Sequence, residues 1–131
     1  MQCAARVENL ALVTEFAEGF ADRFGLDAGK KFGLLVALEE AFVNTCSYAY
    51  PGGEGEVELS CGAEGAALAL EIADRGISFD VLSLPEPDLT SDIMERAIGG
   101  LGVHFIRKFS DQVSYRREDG RNVLRMLFRQ G

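Results

Sequence analysis

No stretch of this 131-residue chain is apolar for long enough to cross a bilayer. Its first residues, MQCAARVENLALVTEF, lack the basic segment and unbroken apolar run of a secretory leader. The expectation is a cytoplasmic protein without a membrane partner. Basic residues are in deficit: 13 Lys and Arg against 21 Asp and Glu give a formal net charge of -8. A surface of that sign repels phosphate backbones and anionic lipid, so no direct nucleic-acid contact is expected either. A protein or a small ligand fits better. Cysteine is scarce, and Cys3, Cys46 and Cys61 are odd in number, far apart and without metal-ligand spacing. That argues against a disulfide framework and suits reduced thiols. Repeats, low-complexity segments and linkers are also missing. A chain of this length can bury about two thirds of its unfolded surface in one core, so a single domain over residues 1–131 is expected.

Periodicity then orders the chain. Leu10, Val13, Phe16, Phe20 and Phe24 recur at helical spacing, with Gly25 as the stop. Asp27 caps a second helix whose expected apolar face is Phe32, Leu35, Leu38, Phe42 and Cys46, ending at YPGG, residues 50–53. The period changes next. Val57, Leu59 and Cys61 alternate with polar residues, GAEG turns the chain, and Leu68, Leu70 and Ile72 alternate again up to Asp74. Residues 79–99, with Pro85 and Pro87, read as a long loop. GGLGVHFIRKFSD opens with glycines and becomes a short amphipathic helix, and QVSYRREDGRNVLRMLF is a hairpin with DG at its tip. Helices segregated from strands in this order predict an α/β (α+β) two-layer sandwich: an antiparallel or mixed β-sheet covered on one face by helices.

Three stretches carry candidate chemistry. In LEEAFVN, Glu40 and Asn44 lie one helical turn apart at the margin of the apolar face. The Asn44 oxygen suits Mg²⁺, a hard cation that takes the rest of its shell from water and phosphate, and Glu40 could orient or deprotonate a nucleophile. Glu39 is a rival, since a helical wheel puts it nearer the apolar centre. Glu40 and Asn44 also read as ordinary solvated residues. In DRGISFD, Asp74 at a strand end could accept from an exocyclic amine and Gly76 could make room for a flat base; a plain turn explains the pair as well. GGLG, residues 99–102, places glycines before a helix start, where free N–H groups attract an anion, or marks a simple loop-to-helix joint.

Taken together and in this order, Glu-x-x-x-Asn on a helix, Asp-x-Gly at a strand end and a long loop leading to Gly-x-Gly before a helix resemble the ATP-binding domain shared by gyrase, Hsp90, MutL and histidine kinases, the Bergerat fold. LEEAFVNTCSYAYP, DRGISFD and GGLGVHFIRKFSDQVSYRREDGRNVLRMLF look most like the anti-sigma-factor serine/threonine kinases of bacterial partner-switching systems. The resemblance runs from about Arg6 to Phe128. It implies ATP and Mg²⁺ as ligands, Glu40 as general base, Asn44 on the metal, and Asp74 on the adenine amino group. Gly76 would lie under the base beside Ser78, and Gly100, Leu101 and Gly102 would stand by the phosphates. It also implies phosphorylation of a small antagonist (anti-anti-sigma, STAS-like) protein on serine or threonine, with a sigma factor as alternate partner and room for a homodimer. A nucleotide-gated binding module without chemistry, or a slow ATPase, shares the same pocket.

Two positions depart from the pattern. Ser78 stands where the family usually has a second glycine, which predicts a less mobile base-side loop or weaker nucleotide binding. Tyr48 stands where a histidine is common. Neither change removes the atoms needed for metal binding or proton transfer. The lone histidine, His104, falls two residues past Gly102 within the third helix, so packing or lid contact is expected rather than phosphoacceptance. Residues 81–99 are expected to form a lid over the nucleotide, hinged at Gly99 and Gly100; a fixed surface loop packed through Leu82, Leu84, Leu89 and Ile93 is the alternative.

Overall fold

The computed structural model describes residues 1–83 and 100–130. Its first helix, α1 (Leu10–Phe24), ends where Gly25 takes a left-handed φ of 84°. The N–H groups of Gly25 and Leu26 both return to the carbonyl of Ala21, at 3.1 Å each. A side chain at that φ would be strained, so the glycine stops the helix as expected. Two residues later the Asp27 carboxylate accepts from the N–H of Lys30 at 2.8 Å and starts α2 (Ala28–Tyr48). Such caps satisfy N–H groups that the first turn cannot pair internally.

The strands are β1 (Gln2–Ala4), β2 (Glu56–Glu64), β3 (Ala67–Asp74), β4 (Gln112–Glu118) and β5 (Arg121–Arg129), and a third helix, α3 (Gly100–Phe109), precedes β4. They form one sheet in the order β1-β2-β3-β5-β4, and every neighbouring pair is antiparallel. The helices lie on one face of this sheet, which makes the architecture the expected two-layer α/β sandwich. β1 had no counterpart in the sequence pattern. Three residues cannot display an alternation, and β1 is held by pairing with residues more than fifty positions away, Gln2 with Glu58 and Ala4 with Glu56.

The interior face of α2 includes Leu38 and Phe42 as expected, with Leu35 and Cys46 packed against the core, but not Phe32. Gly33, Leu34, Ala37, Leu38, Ala41 and Phe42 are buried, while Phe32 is 55% exposed. Small residues explain the difference. At Gly33 a Cβ would come within 3.1 Å of the Phe109 ring, so α3 approaches α2 most closely along its small-residue stripe rather than along its bulky one.

Register orders the helix-covered face into cross-strand rows. Leu68 faces Phe128; Leu70 faces Met126, which faces Val113; Ile72 faces Leu124, which faces Tyr115; and Asp74 faces Asn122, which faces Arg117. Three rows are apolar or nearly so, and the last is polar. The opposite face is dressed with ions: Glu71 takes both Arg116 and Arg125, and Arg125 also reaches Glu64. Burial alone would raise the Glu71 carboxyl, but the two guanidinium groups outweigh it and hold it below the usual range.

Candidate functional site

The polar row lies at the end of the sheet over which α2 runs out. Asp74 closes β3 and is only 8% exposed, and Asn122 beside it on β5 is 6% exposed. Buried polar groups need partners, and here they are one another. The Asn122 Nδ2 donates to Asp74 Oδ1 at 2.9 Å and to the Ile77 carbonyl at 2.7 Å. Its Oδ1 accepts from Tyr115 Oη at 2.6 Å, Arg117 Nη1 at 3.1 Å and the N–H of Phe79 at 3.2 Å. The N–H of Gly76 also donates to Asp74 Oδ1, at 2.9 Å. Neither bond to Asp74 uses Oδ2.

Gly76 is buried, and what a side chain there would strike is the backbone carbonyl of Ala49 at the end of α2. The same carbonyl accepts from the N–H of Ile77 at 2.9 Å. The glycine is therefore required for the 74–79 loop to lie against the helix terminus. Ser78, by contrast, is exposed. Tyr50 fastens the neighbouring loop: its hydroxyl donates to the Glu56 carbonyl at 2.6 Å and accepts from the N–H of Arg75 at 2.8 Å.

Between α2 and the polar row is a small cavity of about 40 Å³ that opens to solvent. Asn44, Thr45 and Ala49 form its helical wall, Asp74 and Asn122 its polar floor, and Phe79 and Val81 its outer side. The Asn44 Nδ2 is buried there without a hydrogen-bond partner among the described residues. An orphaned amide of this kind costs stability unless a ligand completes it. Glu40 stands one turn before Asn44 on α2, half-buried, and is not part of the cavity wall. Burial, and then the charge of Glu39, push its carboxyl above the ordinary value. Glu39 itself is exposed, so the rival acid is the solvated one.

The structure thus brings Asn44 and Asp74 into one cavity, while Gly76 and Glu40 are not among its lining residues. Gly100, Leu101 and Gly102 form the first turn of α3. His104, within α3, sits with its ring 5.6 Å from that of Phe105. Of the expected lid, residues 84–99 with the Gly99 hinge lie outside the described residues. Its beginning, Val81–Ser83, is a 3-10 turn in which Asp80 accepts from the N–H of Leu82 at 2.9 Å. Sequence reasoning missed Asn122, Tyr115 and Phe79. No local signal marks Asn122, whose partner Asp74 lies 48 residues away in the sequence.

The orphaned Asn44 Nδ2 calls for an acceptor such as a phosphate oxygen, and the oxygen of the same carboxamide is of the hard kind that suits a cation carried in by a ligand. Among the described residues no group of three or more His, Cys, Asp or Glu gathers to hold a metal by itself. A carboxamide oxygen from Asn44 is the kind of single protein ligand with which Mg²⁺ completes a shell of water and phosphate. Among the described residues no helix is long and apolar enough to cross a membrane.

The chain is 27% identical over 128 residues to a protein named serine-protein kinase RsbW from Bacillus thuringiensis (strain Al Hakam). The match covers 95% of this chain and 80% of the relative. Proteins of the same name from Bacillus cereus strains 03BB102 and G9842 match at the same identity and coverage. Residues 3–128 match the family described as the histidine kinase-like ATPase domain, and the chain belongs to that family.

Proposed function

We propose that the cavity binds Mg-ATP and that the protein is a serine/threonine kinase of the anti-sigma type, transferring the γ-phosphate to a small antagonist protein of STAS type. The observation that carries this reading is the orphaned Asn44 amide inside a cavity that also holds the Asp74 carboxylate, with a base-prone Glu40 one turn away. The relatives' printed name, serine-protein kinase, supports the reaction type. A sigma factor is the proposed alternate partner.

Each chain residue then has a task. Asp74 Oδ2 accepts from the exocyclic amine of adenine. Ile72 and Leu124, in the row behind it, offer apolar surface to the ring. Asn44 would hold Mg²⁺, which when bound neutralises charge on the phosphates. Glu40 takes the proton of the acceptor hydroxyl as that oxygen bonds to the γ-phosphorus; the bond to the bridging oxygen breaks and ADP leaves. A carboxylate whose affinity for protons is raised by burial is a better base at neutral pH than a solvated one. The N–H groups at the start of α3 would receive the phosphates, since the first turn of a helix leaves its donors unpaired.

The test is incubation with γ-labelled ATP and the small STAS-like proteins of the same genome, followed by phosphoamino-acid analysis. Label on serine or threonine is the expected result. Free phosphate alone would make the protein a slow ATPase. Nucleotide binding with no label and no phosphate would leave a nucleotide-gated binding module. Either result would overturn the kinase reading.

A further inference from the structure

Asn122 spends all of its hydrogen-bonding capacity on the protein. A carboxamide has two N–H donors and one oxygen with two lone pairs. Both donors are used, on Asp74 Oδ1 and the Ile77 carbonyl, and the oxygen already accepts from Tyr115, Arg117 and Phe79. Although Asn122 lines the cavity, it has no polar atom left for a ligand. Whatever it does for the pocket it does through the groups it holds.

Those groups are the whole base-side loop. Asp74 precedes it, Ile77 and Phe79 belong to it, and Arg117, which donates to Asn122, also donates to the Gly76 carbonyl at 2.9 Å. One side chain on β5 therefore ties together both ends of residues 74–79 and the adjoining strand β4. For Asp74 the consequence is rotational. The donors from Asn122 and Gly76 both converge on Oδ1, which fixes the carboxylate plane and reserves Oδ2. A carboxylate fixed in this way presents an acceptor, and only an acceptor, to the ligand. A purine with an amino group at C6 satisfies it. A purine with a carbonyl there sets one acceptor against another in a buried site, which is costly.

We propose that Asn122 is the positioning residue that sets the base preference of the pocket, by holding Asp74 with one oxygen engaged and the other reserved for the exocyclic amine of adenine. This rests on the nucleotide reading of the cavity. Arg117 and Tyr115 act behind it, since each fixes the Asn122 oxygen.

The experiment is calorimetric titration of the full-length protein with ATP and with ITP, which carries a carbonyl at C6 in place of the amine. The readout is the ratio of the two affinities, which a general loss of stability would not move. Wild type should prefer ATP by about 100-fold, the size expected for a buried polar group left mismatched. Asn122→Ala should lower the preference to about 10-fold or less. Arg117→Ala, at an exposed position, should lower it by about 2- to 5-fold with the fold intact. An unchanged ratio in Asn122→Ala overturns the inference, including the case where both nucleotides weaken equally. If that variant does not fold, Arg117→Ala and Tyr115→Phe carry the test, and a wild-type ratio in both overturns it. Binding of neither nucleotide by wild type refutes the nucleotide reading itself, and this inference with it.

Discussion

At one end of the β3–β5 pair Leu68 faces Phe128 and Leu70 faces Met126; at the other Asp74 faces Asn122. The two ends share strands, register and covering helix. The apolar end is fully buried and holds no polar side chain, so its stability comes from area removed from water and from close packing. The polar end is almost as buried, but its order comes from directed hydrogen bonds that converge on Asn122 and Asp74. An apolar row only has to fill space, whereas a polar row fixes the direction in which a lone pair points. The proposed function belongs to the second, because α2 ends there and leaves Asn44 and Asp74 with a cavity between them rather than a packed side chain.

The largest expected effect separates chemistry from both ends. Glu40→Gln removes a proton acceptor that is not in the cavity wall, so phosphoryl transfer should fall by about 10²- to 10⁴-fold while ATP affinity in calorimetry stays near wild type. Wild-type transfer by this variant would remove Glu40 from the reaction. Phe128→Ala at the apolar end should then cost about 3–5 kcal/mol of stability, read as a shift in urea midpoint, because the fully buried ring leaves a cavity behind. Its folded fraction should bind ATP as wild type does; weaker binding would show that the two ends are coupled. Gly76→Ala should cost about 1–3 kcal/mol, since its Cβ meets the Ala49 carbonyl and forces the loop off the helix. That loss should appear in ATP affinity as well as in stability.

A smaller effect concerns pH. Because burial raises the Glu40 carboxyl in the folded state, ionising it costs stability as pH rises above the ordinary carboxylate value. Glu40→Gln should therefore raise the melting temperature at pH 7. The gain should vanish as pH falls below 4.5, the reference value, where the acid is protonated in folded and unfolded chains alike. A gain that persists unchanged at low pH would have another origin.

The two ends also differed in how well the sequence revealed them. The apolar rows were legible because period-2 alternation in β2 and β3 states which side faces inward, and the caps at Gly25 and Asp27 were legible because their chemistry is local. Asp74, Asn44 and Glu40 could be singled out as members of a pattern spread along the chain. Asn122 could not, because its meaning depends on a partner 48 residues away that only register supplies. On α2 only Phe32 departs from the expected stripe, for a related reason. Bulk suggested Phe32, but the close approach of α3 at Gly33 put the small residues inside.

The most direct measurement is Mg-ATP titration of Asp74→Asn beside wild type. An asparagine oriented with its oxygen at the Oδ1 position still accepts from Asn122 and Gly76, which keeps the loop in place, but it turns an N–H toward the cavity where the carboxylate turned a lone pair. With the polar end of the sheet as an adenine site, wild type binds Mg-ATP and the variant, folded to the same melting temperature within a few degrees, binds it at least about 10-fold more weakly. Equal affinity in the two proteins, or no binding by wild type, would contradict it.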